Sequence, residues 1–217
     1  RYSITMKIVI IDYQSGNLHS ALKCFELAAS NLKRSNVVVS SDFKDIENAD
    51  RIVLPGVGSF SFCKSSLFEN EPLIKSMHER VLDRQIPFLG ICVGMQLLAS
   101  EGNEGEKNNR GLNWIAGKVS RVEPKKHLKV PHMGWNNLDF NFSHELFKNI
   151  YSKDHFYFTH SYNFKIRNHK HLLATADYGD KISAAVIKDN ICGVQFHPEK
   201  SQLPGLEFIK NFINWNY

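Results

Sequence analysis

The sequence predicts an α/β fold with a parallel sheet, and three observations carry that expectation. Lys7-Ile-Val-Ile-Ile-Asp12 is a short β-branched run of the kind that fills a strand buried on both faces. From Asn17 the apolar period changes to that of a helix, with Leu18, Ala21, Leu22, Phe25 and Ala28 falling on one side. The same alternation of strand and helix then returns along the chain up to Ala99, the pattern of β-α-β units.

Taken in order, the first helix follows a capping residue, for which Ser15 and Asn17 both qualify. Val37 to Val39 and Arg51 to Leu54 read as the next strands. A helix is expected from Pro72 to Asp83, then a strand over Pro87 to Ile91 that leads directly into a helical segment over Val93 to Ala99. Beyond Gly105 strand-like runs crowd together, at Lys118 to Val122, His155 to His160, Leu172 to Ala176, Ser183 to Ile187 and Cys192 to Phe196. A last helix is expected from Pro204 to Trp215. No repeat or long linker divides these elements, so residues 6–217 are expected to form one domain. Arg1 to Thr5, which precede Met6, are set aside as an expression remnant.

Composition narrows the function. With 217 residues, 42% hydrophobic and 23% charged, the chain has enough apolar material for a full core. Its most apolar stretch, Pro87 to Ala99, is interrupted by Gly90, Gly94 and Gln96, so no membrane span is expected. The net charge of +5 invites nucleic acid. The basic residues, however, fall in short scattered groups such as Lys125-Lys126-His127 and Lys165 to His171, without interleaved stacking aromatics. They read as solvated surface, and no nucleic-acid partner is expected. Cys24, Cys63, Cys92 and Cys192 lie far apart, form no C-x-x-C pair and follow no secretory signal, which points to a reducing cytoplasm. His144-Glu145 begins like a zinc-protease motif, but Lys148 stands where the second histidine belongs, and no metal is expected.

Three segments carry chemistry. Gly90-Ile-Cys92-Val-Gly94 has the G-x-nucleophile-x-G form of a sharp strand-to-helix turn. A thiol there meets unpaired helix N–H groups that favour the thiolate. Taken alone, Cys92 reads equally well as a small buried hydrophobe. His197 supplies the missing base: it ends the apolar strand Gly193-Val-Gln-Phe196 and is held extended by Pro198. Residues two apart in an extended chain project to one side, so Glu199 is placed to orient the imidazole and a Cys-His-Glu triad becomes feasible. Leu54-Pro-Gly56-Val-Gly58 is a strand end opening into a loop whose backbone amides can approach a developing oxyanion. As a dinucleotide fingerprint it fails, because Ser61 stands where the third glycine belongs, and no cofactor is expected.

These three segments, in this order and spacing, resemble the class I (triad) glutamine amidotransferases. Within that family, Pro131-His-Met-Gly-Trp135-Asn136, Phe158-Thr-His160-Ser-Tyr162 and Phe196-His-Pro-Glu-Lys200-Ser201 are similar to the glutaminase subunit of imidazole glycerol phosphate synthase, an enzyme of histidine biosynthesis. The resemblance implies a flavodoxin-like fold: a central, mostly parallel sheet flanked by helices, with extra antiparallel strands in the C-terminal half. It also implies that Cys92, His197 and Glu199 are catalytic and that the amides near Val57, Gly58 and Val93 hold the oxyanion. Glutamine would be held by Gly56, Gly58, Gln96, Ser161 and Tyr162. The ammonia would pass to a (β/α)₈-barrel cyclase subunit facing Asn17, Trp135, Tyr157 and Lys200. Each of these four has a plainer reading: Asn17 as helix cap, Trp135 and Tyr157 as core aromatics, Lys200 as a solvated charge.

A barrel-bound paralogue that amidates a surface sugar also fits these motifs, and so does a non-catalytic module that has kept the fold, against which the intact triad argues. An anthranilate or guanylate synthetase glutaminase fits Pro131 to Asn136 less well. One departure stands out: Gln14 replaces the first glycine of the family's D-Y-G-x-G-N turn, which either alters the partner contact or is tolerated by a backbone of ordinary φ.

Overall fold

In the computed structural model, which describes residues 5–30, 35–104, 109–125 and 128–217, the first apolar run forms β1 (Met6–Ile11), with Ile8 to Ile11 fully buried. It is paired on both sides in parallel register, by β2 (Ser35–Ser40) and β3 (Arg51–Gly56), which is why the run is continuous rather than alternating. Between β1 and β2 lies α1 (Leu18–Ala29). The Asn17 side chain accepts from the Ser20 N–H at 3.4 Å, which settles the cap on Asn17 rather than Ser15.

Two helices without a clear apolar period in the sequence, α2 (Phe43–Glu47) and α3 (Phe60–Phe68), are capped by Asp42 and Ser59. The expected helix near residues 72–83 is α4 (Glu71–His78) followed by a π-helical turn over Glu79–Asp83. Strand β4 (Phe88–Cys92) runs straight into α5 (Val93–Gln96), which is shorter than the expected segment to Ala99.

The C-terminal half holds β5 (Glu101–Gly102), β6 (Asn109–Arg110), β7 (Gly117–Arg121), β8 (His132–Asn137), β9 (Asp139–Phe140), β10 (His155–His160), β11 (Tyr162–Ile166), β12 (Leu172–Asp177), β13 (Lys181–Lys188) and β14 (Ile191–Val194), then α6 (Gln202–Asn214). The main sheet has the order β2-β1-β3-β4-β14-β13-β12-β9. Its first five strands are parallel and its last three antiparallel, as the resemblance implies. A β10–β8 ribbon and a second sheet, β11-β7-β5-β6, stand beside it. Strands β8 and β11, which the sequence does not announce, are interrupted by polar residues (His132, Asn136 and Asn137 in the first, Asn163 and Lys165 in the second) and are only partly buried.

A continuous hydrophobic core runs from Ile8 to Trp215, and α6 packs on α1 with Phe25 and Phe212 edge to face at 6.4 Å. Of the N-terminal residues set aside, only Thr5 is among the described ones, and Lys126 and His127 of the basic cluster also lie outside them. No helix among the described residues is long and apolar enough to cross a membrane. The register places Gly56 beside Cys92 and Ile91 beside Val194, so the carboxyl ends of β3, β4 and β14 meet at one edge. That edge is where open parallel sheets bind their ligands.

Candidate active site

Cys92 occupies a strained backbone conformation, φ 54° and ψ −112°, at the junction of β4 and α5. The flanking glycines are dictated by contact rather than by flexibility. A Cβ on Gly94 would lie 1.8 Å from the Leu54 carbonyl oxygen, and one on Gly90 2.5 Å from that of Gly94. The helix that follows has four residues, so its macrodipole is small, and what it offers the thiol is its unpaired N–H groups rather than a long aligned dipole.

His197 lies against Cys92 and is 2% exposed. Its Nδ1 is 2.8 Å from Glu199 Oε1. This contact does not arise from an extended chain: Pro198–Lys200 is a 3₁₀ turn, and the turn brings Glu199 back to the Nδ1 edge of the ring. Burial would pull the imidazole below its ordinary pKa. The Cys92 thiolate and the Glu199 carboxylate outweigh burial and push it up to about 10. His197 is clamped through its backbone as well, its N–H donating to Tyr157 O (2.9 Å) and its carbonyl accepting from Ser201 Oγ (2.6 Å).

The loop after β3 differs in detail from the expectation. Val57 lines the cavity, but its N–H donates to Ser15 Oγ (3.0 Å) and its carbonyl accepts from the same hydroxyl (2.8 Å). The Val57 amide is thus turned away from an oxyanion by Ser15. Gly58, at φ +114°, holds the conformation this loop needs. Gly56 does not line the cavity: it is buried against α5, where a Cβ would meet Gly94 N at 2.6 Å. Gln14 has φ +65°, so the glycine's place is taken by a residue in the left-handed region, not by one of ordinary φ.

A cavity of about 300 Å³ opens over Cys92, lined by Gly58, Val93, Gln96, Ser161, Tyr162, His197 and Lys200 among others. Glu104, which lies in none of the sequence motifs, also lines it, with Pro131, Thr159 and His160, to which those motifs assign no individual role. Trp135 and Tyr157 pair edge to face at 5.7 Å, and Lys200 Nζ lies 5.9 Å from the Tyr157 ring. Trp135 is 49% exposed, so it is not a core aromatic, and these three residues form one cluster beside the cavity. Asn17 acts as a helix cap. Cys63 and Cys192 are buried with their thiols pushed up by burial, and Cys24 is pushed up to about 11 by burial and then by Glu199. His144 Nδ1 accepts from the Leu146 N–H, capping a short 3₁₀ turn.

A strained cysteine at the carboxyl edge of a parallel sheet, backed by a histidine and a glutamate, is the geometry of a thiol-dependent acyl-transfer enzyme. The model of the glutamine amidotransferase class-I family matches residues 9–215, and the chain belongs to that family. Among its relatives, the imidazole glycerol phosphate synthase subunit HisH of Ruegeria pomeroyi is 49% identical over 211 residues, covering 97% of this chain and 99% of that protein. The protein of the same name from Brucella melitensis is 46% identical at the same coverage. Among solved structures, a putative GMP synthase protein from Thermoplasma acidophilum has a TM-score of 0.68 at 20% identity, covering 98% of this chain and 94% of that one. That likeness is one of fold.

Proposed function

We infer that the chain is the cytoplasmic glutaminase subunit of an imidazole glycerol phosphate synthase, hydrolysing L-glutamine to glutamate and handing the ammonia to a (β/α)₈-barrel cyclase subunit in histidine biosynthesis. The observation that carries the chemistry is the Cys92–His197–Glu199 array at the floor of a cavity of about 300 Å³, at the small end for a ligand site. The relatives' subunit name carries the pathway.

Cys92 Sγ attacks the side-chain amide carbon of glutamine. The carbonyl oxygen takes the negative charge and meets the amides of Val93, Gly58 and, once released from Ser15, Val57. The His197 imidazolium, kept charged by its two anionic neighbours, gives its proton to the departing nitrogen as the C–N bond breaks. A γ-glutamyl thioester and ammonia result. Water, deprotonated by the now neutral His197, cleaves the thioester to glutamate and restores the thiolate. Gln96, Ser161 and Tyr162 on the cavity wall hold the substrate.

The Trp135–Tyr157–Lys200 cluster faces the barrel, and with it Asn17. Tyr157 also holds the His197 N–H, so docking at this cluster reaches the catalytic histidine through one hydrogen bond. The test is co-purification with the candidate cyclase and measurement of glutamine hydrolysis with and without the cyclase's nucleotide ligand. A steep rise on adding both is expected; full activity of the isolated chain, or stimulation only by a different barrel, would overturn the assignment.

A further inference from the structure

Next to the triad, one wholly buried polar side chain has no part in the steps above. Gln195 follows β14, is 0% exposed, and has its backbone N–H bonded to Ala184 O at 2.9 Å. Its side chain lies between two residues of the site. Gln195 Oε1 accepts from Gln96 Nε2 at 3.0 Å, and Gln195 Nε2 donates to Cys92 Sγ at 3.6 Å.

The sense of this chain is fixed by chemistry at its far end. Gln96 Nε2 also donates to the Tyr162 carbonyl at 3.3 Å, and a carbonyl can only accept. Gln96 must therefore turn its NH₂ group inward, which commits both of its protons. Gln195 must then answer with its oxygen, which leaves its own NH₂ facing the sulfur of Cys92. Flipping either amide would place oxygen against oxygen or nitrogen against nitrogen. One backbone carbonyl thus orders both amides, and the sulfur takes the last donor as an acceptor, a role a thiolate fills better than a thiol; the same sulfur lies 3.9 Å from the Thr159 carbonyl oxygen, to which only the thiol donates.

A second observation lies at the other end. Gln96 Oε1 is buried and has no hydrogen-bond partner, and Gln96 lines the cavity. A buried amide oxygen left without a donor is costly, and the cavity is the place from which a donor would come.

Resting on the reading of Cys92 as the nucleophile, we propose that Gln195 is a further catalytic residue. Its amide donates to the Cys92 thiolate and, at the same time, locks Gln96 so that Gln96 Oε1 is presented to an N–H donor of the bound amino acid. Because Gln195 is neutral, it stabilises the thiolate without offering a proton that would compete with His197. The titratable groups facing Cys92 are His197, Tyr13 and Cys63, with Glu199 behind His197 and Glu104, His160, Tyr162 and Lys200 on the cavity wall. None of them bonds to Gln195.

The test uses the full chain with Gln195→Met, which keeps length and removes the donor, and Gln195→Glu, which keeps shape and exchanges the NH₂ for an oxygen. Alkylation of Cys92 by iodoacetamide is followed against pH, and glutamine hydrolysis is followed in the partner complex. Both variants should move the alkylation midpoint up by about one pH unit and raise KM for glutamine several-fold. A purely structural role would leave the alkylation profile of a folded variant on that of the parent, and that result overturns the proposal.

Should the variants fail to fold, the side-chain amide resonances of Gln195 in the unaltered protein decide it. They should titrate with Cys92 and stop titrating in Cys92→Ser; absence of that titration refutes the contact. If Cys92→Ser retains partner-stimulated hydrolysis, the nucleophile assignment itself is wrong. If Cys92 is required but the Gln195 measurements do not move, only the role of Gln195 falls.

Discussion

Replacing Glu199 by Gln removes one of the two anions that keep His197 protonated while leaving the side chain's shape nearly unchanged. The imidazole stands at about 10 against an ordinary 6.5. At about 1.4 kcal/mol per pH unit, that rise corresponds to roughly 5 kcal/mol in favour of the charged ring. Burial opposes it, and Cys92 contributes more than Glu199. A charge-assisted hydrogen bond such as the 2.8 Å contact to Glu199 is worth about 1.5–3 kcal/mol. The His197 midpoint in Glu199→Gln should therefore fall by about one to two pH units.

Two assays read this. The alkaline limb of kcat/KM in the partner complex should move down by that amount, and so should the His197 ring resonance in an NMR titration. Stability follows the same sign. Because the folded-state pKa is raised, the array's contribution is complete below about pH 6.5 and is lost as pH rises through about 10. In Glu199→Gln the loss in urea unfolding free energy should come at lower pH. A midpoint within half a pH unit of the parent would refute the idea that the Glu199 carboxylate holds the imidazolium.

Three further outcomes are expected. Ser15→Ala should raise glutamine hydrolysis by the isolated chain about fivefold, since releasing the Val57 N–H removes a hydrogen bond worth about 1 kcal/mol; unchanged partner-free turnover would count against Ser15 as the restraint. Gln14→Gly should stabilise the chain by up to about 1 kcal/mol in urea unfolding, because the backbone there already has φ +65°; a loss of stability would show that the Gln14 side chain contributes contacts. The buried His160 and His132, held at about 3 and about 4 by burial, should cost stability below pH 6.5, because the unfolded chain gains protons that the folded one refuses. Urea unfolding should lose roughly 3–4 kcal/mol between pH 6.5 and 5, less so in His132→Asn; a flat profile would contradict neutral histidines.

The parallel half of the sheet is readable in the sequence because β1, β3, β4 and β14 are buried on both faces and carry continuous apolar runs, while the half-buried edge strand β2 keeps the β-branched run Val37 to Val39. Cys92 is readable for a related reason: two backbone collisions, at Gly90 and Gly94, demand glycine, so the turn leaves a mark in the sequence. The Glu199 contact follows from the sequence in its partners but not in its geometry, since a 3₁₀ turn, not an extended chain, returns the carboxylate to His197. The Ser15 bond to Val57 spans 42 positions and depends on how two loops settle, which no local pattern encodes. Glu104, Thr159 and His160 reach the cavity from the smaller sheets and their loops, where short, partly polar strands have weak periodicity. Gln195 is hidden for the opposite reason, as one amide within an apolar strand end.

That Cys92 carries the glutamyl group is tested most directly by rapid quenching of the partner complex during turnover of labelled glutamine, followed by peptide mass analysis. A γ-glutamyl group is expected on the peptide containing Cys92, enriched when His197→Asn slows the hydrolysis step. Label absent from that peptide, or found on Cys63 or Cys24 while turnover proceeds, would contradict it.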